Sequence, residues 1–591
     1  MTHLDGLKVL VLGLGDSGLA MAAWCARHGA SVRVWDSREA PPQLAALREQ
    51  LPTIECFSGE LLESALNGIQ LVLKSPGLSP LDARLLPLLN LARNTGIPVQ
   101  GELDLFARAL ADLKAERRYA PAVLAITGTN GKTTTTCMTA LLAERAGKRV
   151  AMAGNIGPSL LTTLQQALDL EPAVPTEPTE PTEPEVAPAE VALGDAEPAD
   201  ERVELQAETE PTTLEALDAM LDGMNNEEGG GSGSNNRPLP IQPPEPKGPV
   251  FAHLPEVWVL ELSSFQLDGV QGFEPTAAAV LNLTQDHLDW HGDMAAYGRA
   301  KARIFGEQAL MVINRDDPRV EAMVPPAVLV KQGRGRAARS QGRAVIRFGL
   351  DAPDRPGDFG LVEEAGMAWL VRAREADETL KKRKGDDEEE ISLQRLMPAD
   401  ALRVRGRHNA ANALAALALA SAAGCALAPM LHGLREYRGE PHRVELVGTI
   451  EGVDFYDDSK GTNVGATVAA ITGLGADRAP AKLLLILGGD GKGQDFSPLR
   501  EGVARHARAV ALIGRDGPQI AAALQDSGVT MQSLASLEEA TAWCAAQARS
   551  GDSVLLSPAC ASLDMFRNYG HRAEVFVAAV RELAADQGLA L

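Results

Sequence analysis

The residues best suited to chemistry lie in the middle of the chain. There an apolar strand, Val123–Thr127, runs into Gly128-Thr129-Asn130-Gly131-Lys132-Thr133-Thr134, and a helical stretch follows. Glycines at this junction let backbone N–H groups converge on phosphate oxygens, and the helix N-terminus adds partial positive charge. Lys132 is placed to reach the terminal phosphates of a nucleoside triphosphate, and the Thr133 hydroxyl to ligate Mg²⁺. Ile126 stands where the full phosphate-loop pattern has its first glycine.

A second glycine loop, "GLGDSG" with Gly13, Gly15 and Gly18, follows the first strand, and Asp36 ends the next one. That is the dinucleotide fingerprint, yet alone it specifies only a close backbone approach to a phosphate and a carboxylate for ribose hydroxyls. Any nucleotide diphosphate satisfies it, and Arg38 suits an anionic or planar group. Downstream, Glu261 ends an apolar strand in "ELSSFQL", His287 follows another in "NLTQDHLDWHG", and Lys301 lies on a helix. A carboxylate and an imidazole at strand ends beside a triphosphate are natural Mg²⁺ ligands. A lone helical lysine reads more simply as solvated. Further along, Asn409, Arg443, Asp458, Lys460, Thr462, Lys492 and Ser562 gather at turns beside apolar strands, where α/β proteins place ligands.

The elements that must position these groups read as strands alternating with helices, which argues parallel sheets covered on both faces. "KVLVLGLG", "SVRVWD" and "IQLVLKSPG" are strands before the phosphate loop, with a helix over Leu19–Arg27 and another from about Gly101. "VWVLELSS", "AAAVLNL" and "ALMVIN" continue the rhythm, and "KLLLILGG", "AVALIG" and "SVLLSPA" supply a last unit starting near His442. At 591 residues, three or so domains are expected.

The formal charge of −23 is unevenly spread: 20 acidic and 3 basic residues lie between Asp169 and Val250, leaving −6 elsewhere. Fourteen of the 37 prolines fall between Glu171 and Pro249, around a Pro-Thr-Glu repeat. This stretch is expected to be a disordered, tolerated insertion, with a brief helix near Leu214–Leu221. "EADETLKKRKGDDEEE" reads as a solvated charge run, and "KQGRGRAARSQGR", without interleaved aromatics, as a loop rather than a nucleic-acid patch. The six cysteines show no metal-ligand or CxxC spacing and read as reduced core residues. With no secretion signal and no apolar run fit to span a membrane, a cytoplasmic protein is expected.

Taken together, "GTNGKTT", "GNIG", "ELSSFQL", "DHLDWH", "HNAANALAA", "DSKGTN", "GGDGKGQDFSPL" and "SPACASLDMF" resemble the Mur ligase family, whose members form amide bonds with ATP in peptidoglycan precursor synthesis. Folylpolyglutamate synthetases share the central loop but are not expected to match the outer domains. The resemblance implies an α/β chain of three domains. A Rossmann-like UDP-substrate domain would span 1–100 and a central P-loop ATPase domain 101–440, carrying the acidic insert at about 170–250. A Rossmann-like amino-acid-binding domain would span 441–591. The implied reaction adds D-glutamate to UDP-N-acetylmuramoyl-L-alanine through an acyl phosphate, by a monomer that uses ATP and two Mg²⁺ ions.

Carried over by position, the resemblance gives Lys132, Glu261, His287 and Lys301 to catalysis, and Thr133, Glu261, His287 and Lys301 to the metals, Lys301 as a carbamate. ATP would be held by Gly128, Thr129, Asn130, Gly131, Lys132, Thr133, Thr134, Asn409, Asn412, Arg443 and Asp458. The UDP-sugar would be held by Gly15, Asp16, Ser17, Asp36, Ser37, Arg38, Ser75, Asn155, Gln266 and His287. D-glutamate would meet Lys460, Thr462, Lys492, Ser562, Leu563 and Tyr569, where paired lysines suit a dicarboxylate. Two other readings remain: a nicotinamide oxidoreductase using the first glycine loop, and a non-catalytic scaffold whose working part is the insert.

Overall fold

The structure, a computed structural model, describes residues 2–172, 249–330, 339–376, 391–404 and 406–589. Its apolar runs become three separate sheets within one unit, residues 1–174 and 251–591. The first is five-stranded: β1 (Lys8–Leu12), β2 (Ser31–Asp36), β3 (Glu55–Ser58), β4 (Leu71–Lys74) and β5 (Val99–Gln100), ordered β3-β2-β1-β4-β5. All its pairings are parallel. Order reverses beside β1, so the glycine turn after that strand opens into the crevice where such sheets take ligands.

The central sheet holds β6 (Ala122–Thr127), β7 (Val150–Gly154), β8 (Val257–Glu261), β9 (Ala277–Val280) and β10 (Leu310–Asn314). A short antiparallel ribbon, β11 (Val328–Val330) with β12 (Arg339–Gln341), stands apart. The central sheet resumes with β13 (Val345–Phe348), β14 (Phe359–Glu364), β15 (Met367–Glu375) and β16 (Ile391–Pro398), in the order β16-β15-β14-β13-β10-β9-β6-β8-β7. From β7 to β14 neighbours run parallel, so the ends of β6, β8 and β9 emerge at one edge. Its strands β6, β8 and β9 are apolar almost throughout because helices cover both faces. The alanine-rich helix Arg407–Ala422 packs among them, its small side chains allowing close approach to the phosphate-loop helix Lys132–Arg145.

The last sheet comprises β17 (Glu445–Ile450), β18 (Val453–Asp457), β19 (Leu483–Gly488), β20 (Ala507–Ile513), β21 (Thr530–Ser533) and β22 (Ser553–Leu556), ordered β17-β18-β22-β19-β20-β21. Only β17 pairs antiparallel to its neighbour.

The α/β architecture expected from the sequence is present, with two differences. The alternation predicts parallel strands throughout, but β14, β15 and β16 form an antiparallel edge, as does β17. The first helix begins at Asp16 rather than Leu19, because the glycine turn is short enough for the helix to start on the loop itself. The insert, its brief helix and most of both charged runs lie outside the described residues; residues 339–341 of the basic run pair in the ribbon instead of forming loop. All six cysteines are free. Among the described residues no helix is long and apolar enough to cross a membrane.

Candidate active site

The phosphate loop is shaped by two glycines in conformations that other residues resist: Gly128 at φ 154° and Gly131 at φ 82°. A side chain at Gly131 would strike Asn412 Oδ1 at 2.6 Å, so the helix Arg407–Ala422 also fixes the loop. Asn282, just beyond β9, grips the loop from the other side: its Oδ1 accepts the Asn130 N–H at 2.8 Å and its Nδ2 donates to Asn130 O at 3.1 Å. Lys132 Nζ folds onto the loop, donating to the carbonyls of Gly128 (3.0 Å) and Thr129 (2.9 Å). Burial lowers its pKa, with Glu261 and Asp286 opposing.

Glu261 is 2 % exposed at the end of β8. Its Oε1 accepts from Asn155 Nδ2 at 2.7 Å, whereas its buried Oε2 has no hydrogen-bond partner. An unpartnered carboxylate oxygen beside a phosphate loop fits a hard divalent cation, which prefers oxygen. Lys301, 1 % exposed, is not the solvated helical lysine that its isolation suggests. Its Nζ donates to Gly128 O at 2.8 Å and Thr127 Oγ1 at 3.2 Å, over the ring of Tyr297. Burial, then Lys132, drives its pKa well below the usual lysine range. His287, in the left-handed region at φ 53°, stands edge-on to Phe265 with Asp286 3.5 Å from Nε2. Burial lowers its pKa, and Lys492, Lys132 and Lys301 add to the effect. Thr133, expected as a metal ligand, accepts a 2.6 Å hydrogen bond from Arg443 Nη2 through its Oγ1.

A cavity of about 310 Å³ lies against this loop, lined by Asn130, Gly131, Thr134, Asn409, Asn412, Arg443, Asp458 and Lys460 among others. Seven of these stand among the residues expected to hold the nucleotide; Lys460, expected at the acceptor, joins them. Asp458 is buried, accepts from Ser557 Oγ at 2.6 Å, and is pushed up to about 7 by burial.

A larger cavity of about 890 Å³ opens between the first sheet and the central one. Gly15, Asp16, Ser17, Asp36, Ser37, Arg38, Ser75, Asn155 and Gln266 all line it. His287 does not, but its ring partner Phe265 does. The Asp36 carboxylate, expected to await ribose hydroxyls, already has both oxygens engaged: Oδ2 accepts from Leu14 N at 2.7 Å, and Arg38 donates to both. Burial opposes its ionisation, but those hydrogen bonds outweigh it and hold the carboxyl at about 2. Asp36 therefore builds the loop and aims Arg38. Gly18 allows the helix to close on this loop, since a Cβ there would lie 1.9 Å from Gly13 O.

Of the residues expected at the acceptor amino acid, Lys460 and Thr462 follow β18, Lys492 follows β19, Ser562 and Leu563 follow β22, and Tyr569 opens the helix Tyr569–Asp586. Lys460 Nζ lies 3.8 Å from the centre of the Tyr569 ring. Asp490 pairs with Ala561, which joins the Lys492 loop to the one bearing Ser562 and Leu563. Leu563 is exposed, Ser562 is buried, and the Thr462 N–H donates to Lys460 O at 2.8 Å. Sequence reading missed Asn282, Tyr297 and Asn463. Tyr297 Oη lies 3.2 Å from Thr129 Oγ1, and Asn463 Nδ2 donates to Asn130 Oδ1 at 2.9 Å. Asn282 was legible as a polar residue just past a buried strand, and Asn463 as a helix cap before "VGAT".

These three α/β units, gathered around one phosphate loop, match three family descriptions. Residues 7–101 match the Mur ligase MurD-like N-terminal domain, 126–185 with 212–420 the Mur ligase middle domain, and 442–560 the Mur ligase glutamate ligase domain. The chain belongs to the Mur ligase family. Among curated relatives, the UDP-N-acetylmuramoylalanine–D-glutamate ligase of Albidiferax ferrireducens is 54% identical, over 100% of this chain and 99% of its own. Proteins of the same name from Polaromonas sp. (47%, 100% of each chain) and Burkholderia mallei (50%, 99% of this chain and 98% of the relative) are similar over the same span.

Proposed function

We propose that the protein is the ATP-dependent ligase that joins D-glutamate to UDP-N-acetylmuramoyl-L-alanine, in cytoplasmic cell-wall precursor synthesis. Full-length similarity to ligases of that name supports the substrates. The observation that carries the chemistry is the Asn155–Glu261 hydrogen bond. Asn155 lines the larger cavity and holds Glu261, which stands among the charges around Lys132, so one carboxylate links that cavity to the phosphate loop. A ligase that must bring a substrate carboxylate to a γ-phosphate needs such a meeting point.

Residues 1–100 hold the UDP moiety through the "GLGDSG" loop, Ser37 and Arg38, and Ser75, Asn155, Gln266 and His287 receive the alanyl end. Residues 101–440 bind ATP, its adenosine against Asn409 and Asn412, with Arg443 and Asp458 from the last domain. Lys132 leaves its loop carbonyls for the β- and γ-phosphates. The alanyl carboxylate oxygen attacks the γ-phosphorus, the bond to the β-phosphate oxygen breaks, and ADP leaves. The amine of D-glutamate, its carboxylates compensated by Lys460 and Lys492, adds to the acyl phosphate. The tetrahedral intermediate collapses, losing phosphate and the amine proton. Lys132 contributes mainly by placing and neutralising the phosphates, as phosphoryl transfer requires.

Glu261 and Thr133 would hold one Mg²⁺, His287 and Lys301 a second, and these ions would neutralise charge on the transferring phosphoryl group. Lys301 suits carbamate formation: its lowered pKa favours the neutral amine, whose lone pair adds to CO₂ with loss of a proton. A carbamate supplies the oxygen that a lysine lacks. One chain furnishes every group named, so a monomer suffices.

The test is ADP release with Mg²⁺, ATP and UDP-N-acetylmuramoyl-L-alanine, with D-glutamate, L-glutamate or neither. Release that requires D-glutamate is expected; ATP binding without release for either amino acid would refute the assignment.

A further inference from the structure

The turn that carries Lys492 is held in a conformation it would not keep unaided. Lys492 has φ 51°, in the left-handed region that a side chain disfavours. Asp490 Oδ1 accepts its N–H at 3.0 Å, and Asp516 Oδ2 accepts the Gly491 N–H at 2.7 Å. Those contacts fix one side of the turn.

Gln494 fixes the other. Its Nε2 donates to Gly491 O at 3.1 Å, and its backbone N–H donates to the same carbonyl at 3.0 Å. Its Oε1 accepts the N–H of Val464 at 3.0 Å. A backbone donor at one end and a backbone acceptor at the other dictate which way round the amide must sit. Val464 opens the helix Val464–Asp477, whose cap, Asn463, is hydrogen-bonded to Asn130 of the phosphate loop. One half-buried amide thus connects the Lys492 turn to an element seated on the phosphate loop.

We propose that Gln494 is a positioning residue for the acceptor amino acid: by clasping Gly491 and Val464 it sets where Lys492 stands relative to the phosphate loop. This rests on the reading of Lys492 as a ligand for the acceptor carboxylate. Gln494 touches no substrate itself; it acts through the backbone of the turn.

Two variants separate its bonds. Gln494→Leu removes both side-chain contacts; Gln494→Glu keeps an acceptor for Val464 but loses the donor to Gly491. Steady-state kinetics on the full chain, varying each substrate in turn, with thermal melts and Lys492→Ala alongside, form the test. Both Gln494 variants should raise KM for D-glutamate about three- to tenfold, the worth of one or two hydrogen bonds. KM for UDP-N-acetylmuramoyl-L-alanine and the melting midpoint should hold, and combining either variant with Lys492→Ala should add nothing for D-glutamate. If Lys492→Ala raises that KM while both Gln494 variants match the unaltered protein, the inference falls and the reading of Lys492 stands. If Lys492→Ala leaves it unchanged, the reading falls and takes the inference with it. A uniform rise in every KM with a lower melting midpoint would mark a merely structural role and overturn the proposal.

Discussion

Asp458 is a carboxyl held where its charge is poorly solvated, with burial pushing it up to about 7 against the help of Ser557 and Arg443. Its native pKa lies above that of an unfolded carboxyl, so the folded state binds the proton more tightly. The favourable difference is fully present below the unfolded pKa and is lost as pH rises through about 7. Asp458→Asn keeps an oxygen for Ser557 without the charge. It should therefore be more stable than the unaltered protein at pH 8, by about 1–4 kcal/mol, with the gap closing toward pH 4. Urea unfolding at the two pH values measures this; equal stability at pH 8 would show that the site relaxes or admits water. Composition cannot reveal such a residue: "YDDSK" looks like a solvated turn until β18 and β22 close over it. Lys301 teaches the same lesson, since its burial against Thr127 and Gly128 of the phosphate loop depends on contacts remote in sequence. Lys132 and Glu261, tied to local strand-and-glycine patterns, were legible without the fold.

Elements follow similar logic. Strands buried on both faces, such as β6, β8 and β19, are continuous apolar runs and announce themselves. β15 and β16 are only partly buried and carry Arg372, Arg374, Glu375 and Arg395, because an antiparallel edge leaves part of each strand facing solvent. A charged run between them further disguises the hairpin. One fastening is invisible in the sequence. Glu171, after the helix Leu160–Leu170, accepts the N–H groups of Ala252 (2.8 Å), His253 (2.6 Å) and Leu254 (2.8 Å). Burial opposes its charge, but the three bonds keep its pKa below the ordinary carboxylate value. Its stabilisation is thus complete above the unfolded carboxylate pKa and is lost as pH falls through the depressed one. Glu171→Gln should cost about 1–3 kcal/mol and speed amide exchange at residues 252–254 at pH 7, the difference shrinking in acid. Unchanged exchange at those amides would remove Glu171 from this role.

At the scale of the whole molecule, contacts between separately legible domains complete the site. Arg443 and Asn463 from the last domain reach Thr133 and Asn130 in the central one, while Asn155 joins the first cavity to Glu261. Motif order reveals which pieces exist; only packing shows that a cap residue such as Asn463 reaches the phosphate loop. The acidic insert poses the opposite question, because its sequence offers no phosphate-, metal- or substrate-binding pattern. Glu171 brings its two flanks within hydrogen-bonding distance, so the intervening length is not needed to span a gap. Closure entropy also changes only slowly with loop length, by about 0.6 kcal/mol per doubling. Replacing residues 175–248 with a short Gly-Ser linker should therefore leave kcat/KM within about twofold, a change worth roughly 0.4 kcal/mol in transition-state stabilisation. The linker variant and the full chain, compared in the D-glutamate-dependent ADP-release assay, decide the matter. A fall of tenfold or more without loss of folding would mean that the insert takes part in the catalytic cycle.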